Sequence, residues 1–262
     1  MFAPNKTNPP EDLGTIEVFG VSLGLIIGLK ELGIEFIHVP TQPRSLETFR
    51  VSPFGTIPAL VHRPNTIYSH GRDDVTLFEP LSIVNYIDEF LAPAAGVSSE
   101  NALIPSLPDV SDASYATAIL KRVEIFQLTA VVIERLQRTI GDHYVLPYFA
   151  LRNNGATEAD IQTALGNRVD KVVDSLILFE KTIKDLHAKS SVIDGQFIVG
   201  DRLSWADIFL FPILRDLRAT NQISVLKGGE NECVPWLTAW YERFEKRESA
   251  VASLHGSFAS SV

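Results

Sequence analysis

The run Ser52-Pro53-Phe54-Gly55-Thr56-Ile57-Pro58-Ala59-Leu60 constrains this chain more than any other stretch, because a Pro-Gly turn leads through an X-Pro junction into apolar residues. Proline inside a strand removes a ladder donor, so Pro58 belongs at the first residue or edge of the strand that follows it. An X-Pro bond is also the one junction where a cis peptide is cheap. A cis Ile57-Pro58 bond would turn the N–H and C=O of the preceding residue outward, where an extended peptide could pair with them as a strand does. The run therefore predicts a peptide-binding edge.

The surrounding pattern supplies the rest of a small α/β domain. Thr15-Ile16-Glu17-Val18-Phe19 reads as a strand ending at Gly20. Leu23 to Leu32 has helical spacing and stops at Gly33, and Glu35-Phe36-Ile37-His38-Val39 reads as a second strand. Strand, helix, strand requires a parallel pair with a crossover. A short helix is expected within Thr41 to Arg50, then the Pro58 strand and a strand at Val75-Thr76-Leu77. Thr76 to Ile87 reads as a strand end entering a helix with Pro80 in its first turn and Glu79 at its entrance. Residues 63–74 are too long for a tight hairpin and predict a surface excursion.

From Ser111 to Ala250 nearly everything reads as helix. One apolar stripe runs through Tyr115, Ile119, Val123, Phe126, Ala130 and Ile133, another through Ile161, Leu165, Val169, Val172, Leu176, Phe179 and Ile183. A further helix starts at Ser204, where Ser204 and Asp207 can close a capping box and Leu203 can staple onto Ile208. The divisions expected are a tail (1–14), an α/β domain (15–91), a linker (92–110) rich in Pro, Gly and Ser, an all-helical domain (111–250) and a tail (251–262).

Composition narrows the function. With 32 acidic against 23 basic residues the net charge is −9, which opposes attraction to nucleic acid and anionic lipid. The single cysteine, Cys233, excludes an intrachain disulfide and fits a reducing compartment. It reads as a buried small hydrophobe. The histidines 38, 62, 70, 143, 187 and 255 lack ligand spacing and read as surface or strand residues, so no metal site is expected. The first residues lack the apolar core of a signal peptide, and no apolar stretch reaches the roughly 20 residues that span a bilayer. A cytoplasmic protein with a loose N-terminal tail is the expectation.

Residues 52–60, 77–87 and 197–208 resemble the cytosolic glutathione transferase family, fungal-type members included. The resemblance implies a thioredoxin-like α/β N-terminal domain, an all-α C-terminal domain and glutathione as co-substrate. It implies that Ile57 before Pro58, with Thr56 adjacent, holds the cysteinyl backbone of glutathione, and that Glu79 takes the γ-glutamyl ammonium. The bland readings are a rigid turn at Pro58 and a helix-dipole residue at Glu79. Many members follow the acid with Ser, whose hydroxyl and N–H grip the γ-glutamyl carboxylate; Pro80 supplies neither donor.

The family also activates the glutathione sulfur with a Tyr, Ser or Cys after the first strand. Here the loop Gly20-Val21-Ser22-Leu23-Gly24 is atypically short and offers only Ser22, which could either steady a thiolate or simply cap the helix. Tyr115, Arg122 and Phe126 lie on the helix that lines the second-substrate pocket in the family, although core packing explains Phe126 equally well. The resemblance implies thiolate addition to an electrophilic apolar small molecule, possible work in secondary metabolism, and a homodimer. Reversible addition would give a cis–trans isomerase of a conjugated alkene, and loss of thiol activation a non-catalytic binding module.

Overall fold

The alternating run at the start of the α/β region forms β1 (Gly14–Phe19), and the helix after it, α1 (Leu23–Glu31), is apolar on all sides and buried from Leu23 to Leu29. In the computed structural model, residues 13–65, 74–190, 195–220, 226 and 233–261 are described. The chain divides into one unit from Met1 to Asp112 and a second from Ala113 to Val262.

Helix α1 stops through backbone chemistry. Gly33 takes φ +66°, its N–H reaches the Lys30 carbonyl at 3.1 Å, and the Ile34 N–H reaches the Leu29 carbonyl at 2.9 Å. This is the Schellman arrangement, which glycine enters without a Cβ penalty. Because Ile34 is still bound to the helix, β2 pairs only over Ile37–Val39, shorter than the Glu35–Val39 strand expected from the sequence. After α2 (Leu46–Val51) come β3 (Ala59–Pro64) and β4 (Val75–Phe78).

The sheet order is β2-β1-β3-β4, with β1 parallel to β2 and antiparallel to β3, and β3 antiparallel to β4. Residues 66–73, most of the expected excursion, lie outside the described residues. Strand β3 is buried from Ala59 to His62 rather than on alternate residues, as a strand covered on both faces must be. His62 is accommodated because Nε2 lies 2.7 Å from the Leu13 carbonyl and Nδ1 lies 2.8 Å from the Tyr86 hydroxyl. A carbonyl can only accept, so the proton belongs on Nε2 and Tyr86 donates to Nδ1 in the neutral ring. Burial pushes the Tyr86 phenol up to about 12, which keeps it a donor.

Helix α3 (Pro80–Tyr86) widens into π-helical turns at Ile87–Leu91 and continues as α4 (Ala92–Ala94), so residues 92–94 of the stretch read as linker are helical. Gly96, at φ +73°, ends it by the same Schellman device.

The second unit is helical: α5 (Tyr115–Val131), a π-helical stretch (Val132–Val145), α6 (Leu146–Asn153), α7 (Glu158–Lys189), α8 (Trp205–Arg218), α9 (Pro235–Phe244) and α10 (Glu248–Ala252). Helix α8, buried from Trp205 to Arg215, is the axis, packed by α5, the π-helical stretch and α9. Pro147 near the start of α6 has no N–H for the carbonyl four residues back; Arg168 donates to that His143 oxygen instead, at 2.6 Å. The apolar stripe expected on α7 is buried at every named position except Val169, which is half-buried.

The stripe expected on α5 is not. Val123 is 54% exposed, and the buried face carries Ile125, Leu128, Thr129 and Val132 instead. Helix α5 is apolar on two faces, and periodicity alone could not choose between them. Cys233 is exposed rather than buried, just ahead of the Val234-Pro235 start of α9. His187 is buried within α7 rather than at a surface, its Nε2 3.0 Å from the Phe197 carbonyl. Residues 251–261, read as a tail, close onto α8 and α6: Arg215 donates to the Ala250 and Ser253 carbonyls, and Phe258 stacks on Phe149 at 4.8 Å.

Candidate functional site

Strand register assembles the candidate site in the first unit. Phe19 pairs with Ala59, and Ala59 with Phe78. Because β3 runs antiparallel to both neighbours, the next residues, Gly20, Pro58 and Glu79, emerge side by side at one end of the sheet. Ser22 follows Gly20 by one turn, Ile57 and Thr56 precede Pro58, and Pro80 follows Glu79. The structure therefore brings together all six residues singled out from the sequence in this unit.

Gly20 locks the loop after β1 against the Pro58 segment. A Cβ built on Gly20 would sit 2.6 Å from the Ile57 Cβ, and its φ is +83°. Only glycine permits both the approach and the conformation. The Gly20 N–H donates to the Val39 carbonyl at 2.9 Å, and its own carbonyl accepts from the Ser22 N–H at 3.0 Å and from His38 Nε2 at 3.0 Å. Gly20 and His38 are the site-forming residues that sequence reasoning missed. Each looked ordinary in sequence, as a strand end and a scattered histidine, and only the pairing of β1 with β2 joins them.

Ser22 occupies the N-cap of α1, but its side chain makes no capping hydrogen bond, and no acidic residue sits in the first turn. The capping alternative is thus not realised. Ser22 is half-buried beside the positive end of the α1 dipole, whose own first turn carries no acidic residue. A hydroxyl so placed can donate to an anion.

On the opposite strand, the Ile57-Pro58 peptide is cis and Pro58 is buried. Ile57 is half-buried, and its backbone N–H and C=O have no hydrogen-bond partner among the described residues. The segment before it is well anchored: the Thr56 N–H donates to Ser52 Oγ at 3.3 Å, the two hydroxyls lie 3.0 Å apart, and the Gly55 carbonyl accepts from the Arg44 N–H at 2.8 Å. An unpaired peptide group on a fixed frame is a docking edge for extended backbone.

Glu79 has φ +71° and ψ 120°, a conformation that costs a non-glycine residue of order 1–3 kcal/mol. Its carbonyl still accepts from the Ser82 and Ile83 N–H groups at 3.1 Å, so the strain coexists with a regular helix start. The side chain is exposed, and Pro80 at the first helical position leaves one fewer amide there. Ser82 is exposed on the next turn. In the second unit Tyr115, Arg122 and Phe126 follow one another along a single face of α5, all half-buried. Among the described residues no group of His, Cys, Asp or Glu could hold a metal ion.

The stretch 197–208 forms a different kind of centre. The fully buried Asp207 carboxylate accepts from the Ile198 N–H at 2.9 Å, the Ser204 N–H at 3.0 Å, Ser204 Oγ at 2.8 Å and Trp240 Nε1 at 2.9 Å, closing the capping box of α8. Burial pushes its carboxyl up to about 6 against these hydrogen bonds, which pull the other way. Every acceptor direction is used, so this centre holds the fold rather than a ligand.

A thioredoxin-like sheet of this order with a helical second unit defines the class of glutathione transferase folds. Residues 141–248 match the family model described as glutathione S-transferase, C-terminal domain. The chain is similar in structure to glutathione transferase F7 of Populus trichocarpa, with 21% identity and a TM-score of 0.63, covering 92% of this chain and 99% of that one. It is also similar to glutathione S-transferase-I bound with lactoylglutathione (19% identity, TM-score 0.64, 93% and 100% covered) and to Ure2p in complex with glutathione (17% identity, TM-score 0.64, 93% and 100% covered). No curated protein matches the sequence as a relative. The resemblance to cytosolic glutathione transferases therefore holds for the fold, and within the second unit residues 141–248 match the glutathione S-transferase C-terminal domain model.

Proposed function

We propose that this protein is a glutathione transferase of fungal type that adds glutathione thiolate to an electrophilic apolar small molecule. The observation that carries the reading is the convergence of Ser22, the unpaired Ile57 peptide and Glu79 at one sheet end. Adjacent strands lie about 4.8 Å apart, so the outer two positions are about 10 Å apart. An extended tripeptide spans about the same length. In this reading Thr56 and Ile57 pair with the cysteinyl backbone, Pro58 shapes that edge, and Glu79 takes the γ-glutamyl ammonium. Ser22 Oγ donates to the sulfur, favouring thiolate together with the end of α1. Tyr115, Arg122 and Phe126 are the proposed lining for the apolar partner. Two subunits acting as a homodimer in the cytoplasm complete the proposal; among the described residues no helix is long and apolar enough to cross a membrane.

Glutathione titrated into the protein should release heat with a dissociation constant in the millimolar range or tighter, and model enones should give adduct above the uncatalysed rate. Return of isomerised alkene with unchanged glutathione would assign the reversible variant. Pro80 favours one further reading, a binding module without turnover, because the N-terminus of α3 lacks an amide for the γ-glutamyl carboxylate. Binding without adduct or isomer would establish that reading, and absence of any heat at millimolar glutathione would overturn the site itself.

A further inference from the structure

Two consecutive residues of β2 hold the two peptide groups that flank the Gly20 Cα. The Gly20 N–H donates to the Val39 carbonyl at 2.9 Å, and the Gly20 carbonyl lies 3.0 Å from Nε2 of His38, 18 positions along the chain. A carbonyl only accepts, so the ring proton on this side sits on Nε2. The second lone pair of the same oxygen takes the Ser22 N–H, also at 3.0 Å, which closes a three-residue turn with Val21 at its middle.

That turn decides where the Ser22 hydroxyl points. Ser22 has φ −107° and ψ 87°, outside the helical region, so its Cβ direction is set by how its amide is held and not by the regular turns of α1 that follow. Val21 is 44% exposed, and burial of its side chain therefore does not fix the turn. Glycine before it is the most permissive of residues, so a peptide group on its far side needs an anchor. The ladder of β1 and β2 ends at the Phe19–Val39 pair and does not reach the Gly20 carbonyl. The His38 ring does.

We propose that His38 is a positioning residue for thiolate formation: by holding the Gly20 carbonyl it holds the Ser22 amide, and so keeps Ser22 Oγ directed at the glutathione sulfur. The inference rests on Ser22 being the donor to that sulfur. A hydrogen bond and not a charge carries the effect, because Nε2 keeps its proton in the required neutral tautomer and in the imidazolium alike.

The test follows the ultraviolet absorbance of bound glutathione thiolate against pH in the natural chain, Ser22→Ala, His38→Ala, His38→Gln and the double variant Ser22→Ala with His38→Ala. Ser22→Ala should move the titration up by about one pH unit and His38→Ala by about half a unit, which is about a threefold loss of thiolate at a fixed pH below the titration. His38→Gln should restore the natural titration, since its side-chain N–H can reach the same carbonyl without any charge. In the Ser22→Ala background, loss of His38 should add nothing, because the ring acts only through the hydroxyl. Glutathione affinity measured calorimetrically where the thiol is protonated should be the same in His38→Ala and the natural chain, since the Ile57 and Glu79 contacts stay in place. The role of His38 would be overturned, with the Ser22 assignment left standing, by a His38→Ala titration that coincides with the natural one. It would be overturned equally by a shift that persists without Ser22 or that glutamine does not reverse, or by a matching loss of affinity for the protonated thiol. Coincidence of the Ser22→Ala and natural titrations would instead overturn the Ser22 assignment and this proposal with it.

Discussion

Two serines stand at helix N-caps in this chain, and they have opposite fates. Ser204, 1% exposed, closes a capping box with Asp207, in which amides, hydroxyl and indole N–H all find a partner. Ser22, at the start of α1, makes no side-chain capping bond, and its hydroxyl has no hydrogen-bond partner among the described residues. The difference teaches that residue type at a cap does not decide whether the side chain spends itself on the helix end. What separates them is whether the surrounding polar groups use up one another's hydrogen-bonding capacity.

The harshest break of the comparison is Asp207→Ala. It strips partners from the Ile198 and Ser204 amides and the Trp240 indole, and should cost about 4 kcal/mol in urea unfolding followed by tryptophan fluorescence. A loss under about 1 kcal/mol would show that the buried network is not the structural half of the contrast. On the other side, Gly20→Ala forces a Cβ into Ile57 at positive φ. It should cost about 2 kcal/mol and weaken glutathione binding in the same titration.

Glu79→Gly sharpens the contrast in the opposite direction. Relieving the φ of +71° should raise stability by about 1 kcal/mol while glutathione affinity falls about tenfold. Stability and binding changing in the same direction would contradict a strained residue kept for its side chain.

A smaller effect concerns pH. Burial pushes the Asp216 carboxyl up to about 6, against the amides of Ala259 and Phe258 and the Arg215 charge. The unfolded chain releases that proton near pH 3.9. Between about pH 4 and 6 the native state holds a proton that the unfolded state lacks, so this group's contribution to stability falls as pH rises through that window. Unfolding midpoints of the natural chain relative to Asp216→Asn should therefore decline from pH 4 to 6 and level off above. A constant difference would remove Asp216 from the account.

Much of this was legible beforehand because local chemistry decided it. Pro80 in the first turn of α3, Gly33 ending α1 and the Ser204–Asp207 box each follow from one residue's backbone or side-chain needs. The residues of the candidate site could be singled out one by one, because the Pro58 run and Glu79 carry distinctive local patterns. The role of Gly20 and His38 was not, since it arises only when β2, β1 and β3 come into register across distant stretches of chain. The buried face of α5 was misread for a related reason. With apolar residues on two faces, the neighbours decide which one is covered, and no local rule contains them.

The central claim is that Ser22 Oγ, free of capping duty, steadies a glutathione thiolate. It is tested most directly by following the ultraviolet absorbance of bound glutathione thiolate against pH in the natural chain and in Ser22→Ala. Stability should change by less than about 0.5 kcal/mol in this variant, because no cap is lost. The account predicts that bound thiolate forms at lower pH than in free glutathione, and that Ser22→Ala moves its titration up by about one pH unit, as loss of one charge-assisted hydrogen bond requires. Coincident titrations in the two proteins would contradict it.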